Sequence, residues 1–92
     1  MKHFAWNSEK NLELIENRKI SFERIVSHIE KRGYLDIISH PNIDKYPNQK
    51  MFILNIENYA YLVPFVESEE ELFLKTIIPS RKATKKYIEE KS

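Results

Sequence analysis

The chain has 92 residues, a length that suits one domain with a thin core, and it is read as a single domain over 1–92. Hydrophobic residues make up 41% and charged residues 32%, a globular balance unlike that of a disordered chain, and the net charge of +1 excludes a protein that grips nucleic acid by bulk positive charge. The absence of cysteine excludes disulfides and thiolate metal sites.

His3 to Trp6 reads as a short strand. Asn7 or Ser8 then offers an N-cap, with Glu9 in the first turn, and residues 8 to 18 are expected as a helix with Leu12 and Ile15 facing inward. Ser21 looks like a second N-cap. Phe22, Ile25, Val26 and Ile29 follow at i, i+3, i+4 and i+7, the strongest helical periodicity in the chain, and Gly33, the only glycine, stands where a left-handed C-cap is expected.

Beyond Gly33 the period changes. Leu35 to Ser39 is a candidate strand, and Pro41, Asn42, Asp44, Pro47 and Asn48 mark a loop. Lys50 to Ile56 alternates with Phe52, Leu54 and Ile56 on one face, Glu57-Asn58 marks a hairpin turn, and Tyr59 to Val66 is a nearly continuous apolar strand suited to the centre of a sheet. Pro64 has no N–H for the ladder, so a bulge or an exposed edge is expected there. Glu71 to Ile78 is expected as one further strand, with Lys75 on the same face as Phe73 and Ile77. Pro79-Ser80 breaks it and caps a final helix from Arg81 to about Glu90. The order gives an α+β class: a short strand and two N-terminal helices, then an antiparallel sheet of three to four strands and a C-terminal helix. The N-terminus lacks the apolar core of a signal peptide, and the run Tyr59 to Val66 is too short to span a bilayer, so the expected setting is cytoplasmic, with no membrane partner.

Charge is unevenly distributed. Acidic residues gather at Glu67, Glu69, Glu70 and Glu71; basic residues gather at Lys75, Arg81, Lys82, Lys85, Lys86 and Lys91, and around the interhelical turn at Arg18, Lys19 and Arg24. For any single lysine the ordinary role is a solvated surface. One glycine cannot build a glycine-rich phosphate loop, and His3, His28 and His40, spaced 25 and 12 apart, form no recognisable metal set. His28 falls on the polar side of the second helix as a surface histidine, whereas His40 lies in a loop from which it can reach a substrate.

Three blocks carry a family resemblance. Phe4-x-Trp6-Asn7-x-x-Lys10 resembles the opening of BrnT-like toxins, Ile20-Ser21-Phe22-Glu23 resembles the start of their second helix, and Ile77-Ile78-Pro79-Ser80-Arg81-Lys82-Ala83-Thr84-Lys85-Lys86-Tyr87 resembles their C-terminal block. The blocks occur in family order across nearly the whole chain. Lysines replace arginines common in the family at Lys50 and Lys75, keeping charge but losing the planar guanidinium fork.

The resemblance implies a RelE-like fold and the toxin of a type II toxin–antitoxin pair, a metal-independent endoribonuclease that inhibits translation and needs no cofactor. It implies an antitoxin partner with a ribbon-helix-helix DNA-binding part, a hetero-oligomer with that antitoxin, an RNA substrate, and operator DNA reached only through the antitoxin. Cleavage without metal uses the ribose 2′-hydroxyl as nucleophile and needs cations around the scissile phosphate. Lys50, Lys75 and Arg81 are expected to converge on the sheet surface beside the last helix, Lys75 from its place in an apolar strand and Arg81 from the matched block; Tyr87 joins them from the same block. Two alternatives stand beside this: a toxin of the same fold that acts on a protein such as DNA gyrase, and a non-catalytic module that only binds the antitoxin.

Overall fold

The computed structural model describes residues 2–39, 42 and 44–90; His40, Pro41 and Lys91 lie outside them. The elements run β1 (His3–Trp6), α1 (Ser8–Arg18), α2 (Phe22–Arg32), β2 (Asp36–Ser39), β3 (Gln49–Ile56), β4 (Tyr59–Glu67), β5 (Glu71–Leu74), β6 (Ile78–Pro79) and α3 (Arg81–Thr84), which continues as a π-helical turn over Lys85–Glu89. The α+β class holds. The sheet is larger than expected and mixed: six strands in the order β1-β5-β4-β3-β2, with β6 also on β4. The short first strand is a full member of it, pairing parallel to β5, while the other pairs are antiparallel.

Each helix starts where a short polar side chain can satisfy an orphan N–H. The Asn7 side chain accepts from Lys10 N–H at 2.9 Å, Ser21 Oγ from Arg24 N–H at 3.1 Å, and Ser80 Oγ from Ala83 N–H at 3.1 Å. At the end of α2, Gly33 N–H reaches Ile29 C=O at 2.9 Å, and Gly33 takes φ 78° with ψ −154°. Its φ is positive as expected, but its ψ lies in an extended region open to glycine and not in the left-handed helical well.

Alternate residues of the central strands face two different cores. Phe52, Leu54, Ile56, Val63, Phe65, Leu74 and Ile77 pack with Leu14 of α1 and with Phe22 and Ile25 of α2. Ile53 and Ala60 on the opposite face pack with Ala83 of α3, flanked by Ile38, Leu62, Tyr87 and Ile88. The N-terminal helix pair therefore covers one face and the C-terminal helix the other. The hairpin turn expected at Glu57-Asn58 joins β3 to β4, and these residues have φ of 54° and 67°, the paired positive values of a type I′ turn.

The face of α1 differs from the expected one. Leu12 is 66% exposed and Ile15 42%, whereas Asn11 and Leu14 are buried. The helix is turned by a polar contact: Asn11 Oδ1 accepts from Phe22 N–H at 2.8 Å and its Nδ2 donates to Glu23 Oε1 at 2.7 Å. Asn11 thus supplies a partner for an N–H at the open end of α2, and apolar periodicity does not register such a demand. The hydrogen bond from Asn11 is also the main cause that holds the Glu23 carboxyl below its ordinary range.

Pro64 departs from one half of its expectation and meets the other. It is buried within central β4 and does not lie at an exposed edge. Its C=O accepts from Lys75 N–H at 2.8 Å, so its missing N–H faces the same neighbour and the reciprocal bond cannot form. The β4–β5 ladder stops at Phe65↔Leu74, and pairing resumes at Leu62↔Ile78 with the register advanced by one residue. Val63 consequently faces two residues, Thr76 and Ile77, which is a bulge in the strand opposite the proline. The expected single strand over 71–78 is therefore two strands. Lys75 stays with Phe73, its Nζ 5.5 Å from that ring centroid, while Ile77 turns into the helix-facing core instead of sharing their face. Arg18 of α1 donates a hydrogen bond to Ile77 C=O and so steadies this break.

Among the described residues no helix is long and apolar enough to cross a membrane. In urea denaturation, Asn11→Ala is expected to cost about 1–3 kcal/mol because it strands Phe22 N–H, whereas Leu12→Ala should stay within about 0.5 kcal/mol. Equal losses would refute the assignment of the buried α1 face.

Candidate nucleic-acid interface

The expected cations do not meet. Lys50 pairs with Phe65 in the β3–β4 register, on the face covered by α1 and α2, and its ammonium lies 3.6 Å from Glu67. Lys2 also donates a hydrogen bond to Glu67, the main cause holding this carboxyl below its usual range. Lys75 stands on the opposite face over Phe73. Arg81 is exposed in the first turn of α3, directly after Ser80, whose N–H bonds Ala60 C=O at 3.0 Å. From Ala60 to Phe65 the strand runs about 16 Å, so Lys50 and Arg81 sit at opposite ends of β4 as well as on opposite faces. Strand alternation and the one-residue slip after Pro64 separate side chains that are near in register.

Tyr87 shares the α3 face with Lys75 and Arg81, but its hydroxyl is engaged. It donates to Asp36 Oδ2 of β2 at 2.7 Å, and Lys86 Nζ lies 5.4 Å from its ring centroid. That hydrogen bond, followed by burial and the negative charge of Asp36, raises the Tyr87 pKa above its ordinary value. The helix carrying it is fixed at its other end by Thr84, whose buried hydroxyl accepts from Ala60 N–H at 2.8 Å and donates to Ser80 C=O at 2.7 Å. Tyr87 and Thr84 together dock the C-terminal segment on β2 and β4.

A different set of cations does come together. Arg24, His28 and Arg32 recur every fourth residue of α2, so they share one face. The helical rise sets successive members about 6 Å apart along the axis. Opposite them stand Asn55 and the hairpin turn, enclosing a cleft of about 440 Å³. His28, Arg32 and Asn55 also line an adjoining hollow of about 210 Å³ that continues to Tyr34 and Leu35. The two form one groove with a cationic wall and an aromatic end. Tyr34 is 51% exposed, and its ring is braced against Phe52 with centroids 5.4 Å apart. Arg24 lies 3.6 Å from Glu57 in a pair whose side chains are 46% and 81% exposed, a weak contact that a phosphate can displace.

The electrostatics of His28 follow from its neighbours. Burial first, then the charges of Arg32 and Arg24, lower its pKa from the ordinary 6.5. The imidazole is therefore neutral at pH 7 and able to accept a proton, while the guanidiniums beside it offer planar forks for phosphate oxygens. The signal for this groove was present in the four-residue spacing of Arg24, His28 and Arg32. Proximity in sequence instead groups Arg24 with Arg18 and Lys19, yet Arg18 serves Ile77. Among the described residues no group of His, Cys, Asp or Glu is placed to hold a metal ion.

The Tyr87–Asp36 contact has a pH signature. A folded-state pKa raised above the unfolded value near 10 contributes stability that is present below pH 10 and lost as pH rises through the folded value. Tyr87→Phe should cost about 1 kcal/mol near neutrality, and the gap from the unaltered protein should close above pH 10 in denaturation curves. A pH-independent gap would refute the role given to the hydroxyl. Compared with known proteins, the chain matches no family model, no curated protein and no solved structure.

Proposed function

We propose that this chain is the toxin of a toxin–antitoxin pair, of the BrnT-like kind with a RelE-like arrangement, and that it acts on RNA. The observation that carries the RNA reading is the groove along α2, where Arg24 and Arg32 flank His28 beside an exposed Tyr34. Periodic guanidiniums suit a chain of phosphates, and an exposed ring suits an unpaired base. The order of strand, helix pair, sheet and closing helix supports the family reading, as do the three sequence blocks. An antitoxin with a ribbon-helix-helix part would be the partner, and operator DNA would be reached only through it.

One observation favours the reading of a non-catalytic, antitoxin-binding module: Lys50 lies on the face opposite Lys75 and Arg81, so the phosphate grip expected from the family block is not assembled. Regulated expression without an antitoxin, with RNA ends mapped, separates the readings. Growth arrest with new RNA ends is expected. A DNA-damage response over intact RNA would select a gyrase-directed toxin, and harmless expression would select the binding module.

Charge in the groove has its own measurement. Each phosphate neutralised on a single strand contributes roughly 0.7 to the slope of log affinity against log salt. Joint replacement of Arg24 and Arg32 by Ala should therefore lower the slope for single-stranded RNA by about 1.4, whereas an unchanged slope would place the RNA elsewhere.

A further inference from the structure

We infer that the groove along α2 both holds and cuts single-stranded RNA, with Tyr34 stacking a base, Arg24 and Arg32 holding neighbouring phosphates, and His28 between them taking the proton of a ribose 2′-hydroxyl. The inference rests on the RNA-directed reading above and adds the residues that perform it.

His28 is one helical turn from each arginine on the same stripe, so a phosphate held by either fork presents its ribose near the imidazole. The groove continues past Arg32 to Tyr34, whose ring is braced on Phe52 and half exposed, a rigid platform for one unpaired base. A duplex keeps its bases stacked inward and offers none to that ring, so the site selects single strands. The titratable and charged groups facing the imidazole are Arg24 and Arg32 from α2, Glu57 from the β3–β4 turn, and Tyr34 beyond the helix end. The arginines and partial burial keep the imidazole in its basic form at neutral pH.

The step balances within the substrate and water. The 2′-hydroxyl proton passes to His28, the 2′-oxygen bonds to phosphorus, and the bond from phosphorus to the 5′-oxygen breaks. The departing 5′-oxygen takes a proton from water, and the imidazolium returns its proton to the hydroxide so formed. The products are a 2′,3′-cyclic phosphate and a 5′-hydroxyl. Arg24 and Arg32 meet the charge that develops on the phosphorane oxygens.

The test uses the full chain and a fluorescent single-stranded RNA of mixed sequence, read by anisotropy for binding and by gel for cleavage, with the same strand lacking 2′-hydroxyls as an uncleavable ligand. His28→Ala is expected to bind both strands within about twofold of the unaltered protein and to cut RNA at least 100-fold more slowly, within the range for loss of a general base. The unaltered protein should gain rate with pH along a limb centred below 6.5, absent from His28→Ala. Tyr34→Ala should weaken single-strand binding about tenfold and Tyr34→Phe restore it, since stacking needs the ring and not the hydroxyl. Undiminished cutting by His28→Ala, with RNA still cleaved by the unaltered protein, overturns this inference and leaves the RNA-directed reading standing. An unaltered protein that neither binds nor cuts the strand overturns both.

Discussion

The missing N–H of Pro64 organises the centre of this fold. β4 is the only described strand with three partners, and the proline sits where the neighbour on one side must change from β5 to β6. Its carbonyl still accepts from Lys75, but no bond can run back, so the ladder breaks and one extra residue enters the opposite strand. Because side chains alternate, that single residue exchanges the faces of everything after it. Ile77 joins the core under α1 and α2, Lys75 is left on the far face, and the chain emerges at Ser80 positioned to set α3 on the side opposite the other helices.

Two buried polar residues then decide how the helices sit. Asn11 ties α1 to the first N–H of α2, and Thr84 ties the last helix to β4 through Ala60. Both satisfy backbone groups that would otherwise be stranded away from water, a cost comparable to burying a large part of an aliphatic side chain. These contacts explain why α1 presents an asparagine to the core while Leu12 meets solvent, and why the closing segment keeps its place through a short α-helix and a π-helical turn.

Function, on the reading proposed here, follows the same logic of faces. A net charge of +1 says little about nucleic-acid binding, because the acidic residues of the β4–β5 region and the arginines of α2 occupy different parts of the surface. Lys2 and Lys50 are drawn to Glu67, and Arg18 to a backbone carbonyl. Arg24 and Arg32 line an open groove beside a histidine whose proton they help to repel. What matters is which cations remain available to a ligand, and that depends on the neighbours each one meets.

The local features were legible in the sequence: the caps at Asn7, Ser21 and Ser80, the apolar face of α2, the turn at Glu57-Asn58, the central character of Tyr59 to Val66, and a disturbance at Pro64. Each depends on residues within a few positions of one another, where side-chain spacing and backbone chemistry act directly. Only the tertiary structure decided that β1 joins the sheet beside β5, that Asn11 and not Leu12 faces inward, and that Lys50 and Arg81 lie on opposite faces. Those outcomes turn on hydrogen-bond partners supplied by distant segments and on a one-residue register slip. A pattern of residue types along the chain records neither, because both arise from pairing across space.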